Sequence, residues 1–455
     1  MGGIFPFIIP ALMKRFYYLF LIPLLYLGCK RSNQTVLEIK HGKVEEVTIN
    51  VDPALGILTP KALVYLPPDY DPNKKYPIIY LLHGFGGDYR TYVYFNGVHE
   101  ILDYLISTGQ IEPVIVVMPD GRNLVGGSFY TNSRLYDPSS YTYYPMVVFG
   151  DYETYIVDSL ISQVESRYGG SRDRSKRGIM GLSMGAYGSA KLWLKHANKF
   201  GAVALHSGPL AFDKLLDDNV IDSLLKDWES IGRKRWIKDY LGREHIWLTL
   251  GNGLSAAFTP RVVGYSDPSD WNVISNCYYS GGLDTAYGDF LLDTITISGF
   301  KLCLGVRFPI KFDTTTSPAT CVDPSKPGAR YVSEDFCVWK KHHDPYTLID
   351  SADVNYPVEF RDTKIYIDVG LKDELTLLSH SRAFKDKLKT KVDSSNIVYV
   401  EFDGALGYPA DMFPGMHNNW LYVRLKKSFT FMDRALNGKD IKAGEYKQYE
   451  GKDYE

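Results

Sequence analysis

Cysteine is scarce, with five in 455 residues. None forms a C-x-x-C pair, and no histidine lies among Cys277, Cys303, Cys321 and Cys337, so the spacing argues against a zinc site. Charge of one sign is also lacking: 51 Lys and Arg stand against 53 Asp and Glu, a net charge of −2. With no basic block and no interleaved basic–aromatic stretch, nucleic acid is not an expected partner. Long apolar runs are missing too. The N-terminal run at 16–27 (FYYLFLIPLLYL) is about a dozen residues, short of the roughly 20 that cross a bilayer as a helix. No internal repeat or low-complexity tract is evident, which argues against a solenoid.

What is present points first to export. Lys14 and Arg15 precede that apolar run, and Gly28-Cys29 follows it, the order of a signal segment with a small residue before the cut. Gly28-Cys29 resembles a bacterial lipoprotein cleavage site, although Tyr26 stands where leucine is usual. The expectation is a signal at 1–29, lipidation of Cys29 and an envelope location, with Met13 a second candidate start. The four other cysteines, clustered and even in number, suggest two disulfides with three pairings open.

Hydrophobic residues make up 45% of the chain, ample for a packed core. Thirty-five tyrosines fit either ordinary packing or a surface that stacks on sugars or phenolic rings. Residues 30–43 read as a linker. Strands are expected at 44–51 and 62–66 (an antiparallel pair), 76–82, 113–118, 176–180, 202–206, 363–369 and 397–402. Helices are expected at 98–107, 152–168, 186–195, 377–389 and 419–436. Near-continuous apolar strands alternating with helices predict an α/β fold, a mostly parallel sheet covered on both faces. Between about 241 and 345 the pattern breaks into Gly, Pro, Asp and Cys, which reads as an insertion over or beside the site. The polar tail 437–455 is expected to fray.

The chemistry lies in Gly181-Leu182-Ser183-Met184-Gly185. A serine between glycines, after an apolar strand and before a helix, is a nucleophile elbow; small flanking residues permit the sharp turn that exposes the hydroxyl. A serine hydroxyl needs a base, usually a histidine held by a carboxylate. In chain order Ser, acid, His, the loop residue His417 fits best. His196 and His206 precede any plausible acid, His245, His342 and His343 fall in the insertion, and His380 is inside a helix. The segment Ile367-Asp368-Val369-Gly370-Leu371-Lys372-Asp373-Glu374 offers the acid. Asp368 is within a strand, Asp373 in the following loop is the choice, and Glu374 is the alternative. The oxyanion hole needs two N–H groups: Met184, after the nucleophile, and Phe85, in His83-Gly84-Phe85-Gly86-Gly87 after a buried strand.

These segments, with VVMPDG, FGAVALHSGPL and IYIDVGLKDEL, resemble the esterase D-like family of α/β-hydrolases. That family includes feruloyl and acetylxylan esterases, S-formylglutathione hydrolase and mycolyltransferases. The resemblance spans residues 44–436 outside the insertion, and implies a Ser183–Asp373–His417 triad with Met184 and Phe85 as oxyanion donors. The expected function is a serine carboxylic-ester hydrolase acting on small-molecule or carbohydrate esters, feruloyl or acetyl esters among them. It would need no metal or cofactor. The alternatives are an acyltransferase and an inactive carbohydrate-binding relative. Tyrosines of the aromatic segment 126–155 are expected to line the acyl or sugar pocket.

Overall fold

The computed structural model describes residues 38–137, 140, 142–230, 243–266, 277–278, 287–297, 300–311, 320–321, 332–402, 416–418 and 421–446. The expected signal segment, Cys29 and the stretch before His417 lie outside them. An antiparallel pair opens the fold: β1 (Lys43–Thr48) and β2 (Lys61–Leu66), in register from Lys43 opposite Leu66 to Thr48 opposite Lys61. β3 (Ile78–Leu82) follows, then α1 (Thr91–Tyr94), α2 (Val98–Ser107) and β4 (Ile115–Pro119). β5 (Asn132–Asp137) and β6 (Thr142–Asp151) make a separate antiparallel ribbon. α3 (Tyr152–Thr154), a π-helical stretch (Tyr155–Leu160) and α4 (Ile161–Tyr168) run on from it. β7 (Arg177–Leu182), α5 (Met184–Lys195) and β8 (Ala202–His206) build the elbow region.

α6 (Asp218–Ser230) and α7 (Ile246–Phe258) come next. β9 (Pro260–Ser266), β10 (Cys277–Tyr278), β11 (Tyr287–Ile297) and β12 (Phe300–Lys311) form a second sheet in the order β10-β9-β12-β11. α8 (Glu334–His342), α9 (Pro345–Asn355) and α10 (Pro357–Asp362) lead back to β13 (Lys364–Gly370), α11 (Leu377–Leu388), β14 (Ile397–Phe402) and α12 (Leu421–Leu436). α9 starts where the Asp344 carboxylate accepts the Tyr346 N–H and Pro345 takes the first turn, where no N–H is needed.

The main sheet has eight strands in the order β1-β2-β4-β3-β7-β8-β13-β14. Pairing is parallel from β4 to β14 and antiparallel at β1–β2 and β2–β4. Strand side chains alternate between two apolar layers. Val64, Tyr80, Leu82 and Ile179 join one core with Trp193 of α5 and Ile349 of α9. Leu63, Ile79, Leu81 and Met180 join the other with Leu102 of α2 and Phe429 of α12. Each such aliphatic side chain contributes about 1.5–3 kcal/mol on full burial, so strands covered on both faces read as unbroken apolar runs.

The expected α/β fold is present, with three corrections to its edges. The linker is ordered before residue 43: Gly42 N–H donates to Asp103 at 2.8 Å and His41 Nδ1 lies 3.0 Å from the same carboxylate. The tail packs as far as residue 446, because Tyr446 is buried between Tyr366 and Phe431. The described residues of the insertion are not irregular; they hold α7, the second sheet and α8. Of its cysteines, Cys321 and Cys337 are joined in a disulfide. The side chains of Cys277 and Cys303 lie outside the description.

Candidate active site

Ser183 sits between β7 and α5 at φ +58°, ψ −119°, a region that non-glycine residues enter at a strain of about 1–3 kcal/mol. Its neighbours show why the turn demands glycine. A Cβ on Gly185 would collide with the Leu82 carbonyl, and one on Gly181 would come within 2.5 Å of the same oxygen. The turn is tied on both sides. Ser183 N–H donates to the His206 carbonyl at 2.9 Å, and Leu182 N–H donates to the Tyr92 hydroxyl at 3.2 Å, which donates to Leu82 O at 3.0 Å.

Met184 opens α5, so its N–H has no acceptor within the helix. Gly84 brings the loop after β3 to the same place, since a Cβ built on it would lie 3.6 Å from Ser183 Cβ. Buried His83 anchors that loop. Gly121 N–H donates to its Nε2 at 2.8 Å, so the ring proton is on Nδ1, which donates to Gly84 O at 2.8 Å. Burial lowers the His83 pKa to about 4, which keeps the ring neutral and this pattern intact. Tyr130 OH donates to His83 O at 3.0 Å. The Phe85 ring is wedged among Gly126, Gly127 and Gly253, where added Cβ atoms would meet it.

Asp373 and His417, 44 residues apart, meet at 3.0 Å from Oδ2 to Nδ1. Burial pushes the Asp373 carboxyl up, but the bonds from His417 and Leu375 N–H outweigh it, and its pKa falls below the usual value. An ionised Asp373 makes Nδ1 the donor, which leaves Nε2 of the neutral ring as an acceptor. The two candidate acids have separate tasks: Glu374 Oε2 accepts the main-chain N–H of His417 at 2.8 Å.

Arg424 of α12 completes the support by donating to His417 O at 2.9 Å. It is held by Asp368 at 2.6 and 3.0 Å and donates to Ser207 Oγ at 3.0 Å. His206 Nδ1 lies 2.9 Å from Asp368 Oδ2. Burial opposes ionisation of Asp368, but Arg424 and His206 prevail and lower its pKa to about 2. A continuous hydrogen-bonded path therefore runs from Ser183 N–H through His206 and Asp368 to Arg424 and the His417 backbone. Residue order and spacing did not reveal the roles of Glu374 and Arg424.

Other histidines have structural partners. His196 faces Glu153 at 3.1 Å, and His343 lies 3.1 Å from the buried Lys191 ammonium. His380 Nδ1 accepts the Ala211 N–H at 3.2 Å. The tyrosines at 126–155 largely depart from their expected place. Tyr130, Tyr136, Tyr152 and Tyr155 are buried in the protein, and from that segment Phe129 is the described residue lining the cavity beside Ser183.

That cavity has a volume of about 80 Å³, opens to solvent, and includes Ser183 and Met184 in its wall. Much of the remainder comes from Leu224 of α6, ahead of the insertion, and from Trp247 and Leu254 of α7 and Phe336 and Trp339 of α8 within it. An elbow serine at the end of parallel strand β7, with a histidine after β14 held by a carboxylate after β13, two strands from β7, is the arrangement of an α/β-hydrolase.

Residues 59–261 match the Esterase family. Endo-1,4-beta-xylanase Y of Acetivibrio thermocellus is 39% identical over 135 residues, 29% of this chain and 11% of that protein. Endo-1,4-beta-xylanase/feruloyl esterase of Xylanibacter ruminicola is 28% identical over 176 residues, 38% of this chain and 22% of that protein. The chain thus spans less than a quarter of the length of either. A solved structure named ferulic acid esterase is 18% identical, with a TM-score of 0.46, covering 87% of this chain and 99% of its own. Over residues 59–261, therefore, the chain is similar to esterases, in line with the esterase D-like resemblance of its motifs.

Proposed function

We propose that this protein is a serine carboxylic-ester hydrolase working through Ser183, His417 and Asp373. His417 Nε2 takes the Ser183 proton as Oγ attacks the ester carbonyl. Asp373 fixes the tautomer and stabilises the imidazolium. The N–H groups of Phe85 and Met184 receive the oxyanion. The imidazolium then protonates the leaving alcohol, and the same base activates water to release the acid from Ser183. The observation that carries this reading is the 3.0 Å bond from buried Asp373 to His417 Nδ1. That bond leaves the other ring nitrogen as the base.

The alcohol half is proposed to be a carbohydrate, a reading suggested by the names of the xylanase relatives. We place the protein outside the cytoplasm, anchored through Cys29. The Cys321–Cys337 disulfide is consistent with an oxidising compartment. A fluorophosphonate probe with an aryl-ester assay tests the chemistry. Labelling and turnover should both vanish in Ser183→Ala. An unlabelled native protein, or labelling that survives the substitution, would reject it.

A further inference from the structure

We infer that the cavity beside Ser183 binds an apolar acyl chain of several carbons, in preference to both acetyl and phenol-bearing hydroxycinnamoyl groups. The inference rests on the proposed hydrolase reading and narrows its substrate. Among the described lining residues, the polar side-chain groups are the Ser183 hydroxyl and the indole N–H groups of Trp247 and Trp339. The Trp339 indole N–H already donates to Thr259 Oγ1 at 3.0 Å. An indole can only donate, so a phenolic O–H held against these described apolar walls, away from Ser183 and the His417 base, meets no side-chain acceptor among them. A buried donor left unpaired weakens binding by about ten- to a hundred-fold. Acetyl has the opposite defect, since it leaves apolar walls uncovered.

The walls are built to persist. Phe85 is wedged against Gly127 and Gly253, and Phe336 and Trp339 belong to the buried core around Phe258. Each methylene transferred from water to such a wall favours the ester by about four-fold. Half of the described lining comes from α6, α7 and α8, so acyl choice rests largely on α6 and the insertion while the chemistry belongs to the sheet.

The test is kcat/KM on p-nitrophenyl acetate, butyrate and hexanoate, and on methyl cinnamate against methyl ferulate, with fluorophosphonate labelling of the same preparation. The expected result is a rise of about four-fold per methylene to hexanoate, and cinnamate above ferulate by ten-fold or more. Leu224→Trp, which fills the α6 side of the cavity, should move the chain-length optimum to a shorter ester while labelling persists. Labelled protein with acetate as its best substrate, or with ferulate equal to cinnamate or better, overturns this inference alone. Protein without labelling overturns the hydrolase reading and this inference with it.

Discussion

Arg424 and Asp368 form an ion pair in which neither side chain has any exposed surface. The pair lies behind the site, and the same guanidinium grips the His417 carbonyl oxygen. Arg424→Ala strands a buried carboxylate, and removal of one partner from a buried pair typically destabilises by about 3–5 kcal/mol. It also frees the His417 backbone, where a small misplacement can lower the rate about a hundred-fold. Urea denaturation should show the first effect. The second should appear in kcat more than in KM, because Arg424 does not line the substrate cavity. Unchanged kcat in a folded Arg424→Ala protein would remove it from the positioning of His417.

Asp373 and Glu374 are adjacent carboxylates with different partners. Asp373→Asn loses the charge that fixes the His417 tautomer, and kcat should drop by about 10⁴-fold. Glu374→Gln keeps an oxygen able to accept the His417 N–H, so its loss should stay within about ten-fold. Equal losses from the two substitutions would refute the division of roles.

Gly185 illustrates space and Gly438 illustrates backbone angle. An alanine at 185 would drive its Cβ into the Leu82 carbonyl, whereas Gly438 at φ +65° faces open space. Gly438→Ala should cost about 1–2 kcal/mol, the usual left-handed penalty. Gly185→Ala should cost more than 3 kcal/mol, since β3 or the elbow must move. Thermal melts on both variants provide the comparison, and similar Tm values would contradict it.

His380 offers a pH signature. Burial lowers its pKa to about 3, partly opposed by nearby Asp373. The unfolded value is near 6.5, so the stability linked to its neutral form is complete above that pH. As pH falls below 6.5, the unfolded chain takes up a proton that the folded protein refuses, and stability declines until pH reaches about 3. His380→Leu lacks this titration. Wild type should therefore lose about 2 kcal/mol relative to the variant between pH 6.5 and pH 5. A constant difference in unfolding free energy across that range would show that the ring is not held neutral.

The legible parts of this chain were those where local pattern and tertiary setting agree. β8 and β14 match their expected spans, as does α2, because buried parallel strands and amphipathic helices leave clear periodic traces. α7 left none. Its sequence IWLTLGNGLSAAF carries two glycines, and most of its residues are buried, so no polar face marks a helical period. The aromatic stretch misled in a different way. Tyr130 and Tyr143 send their hydroxyls to carbonyl oxygens of His83 and Phe258, which makes them struts and not a substrate surface.

By itself the sequence determined the class of chemistry: a serine in a turn that only glycines permit, a loop of small residues after an early strand, and a histidine late in the chain. Those features are local, and steric rules written into a few adjacent residues suffice to read them. Tertiary structure alone decided which carboxylate holds the ring and which the backbone, that Arg424 stands behind both, and that the insertion lines the cavity with apolar walls. Each of these is a meeting of residues distant in sequence, and sequence spacing carries no distance between them until the sheet has assembled.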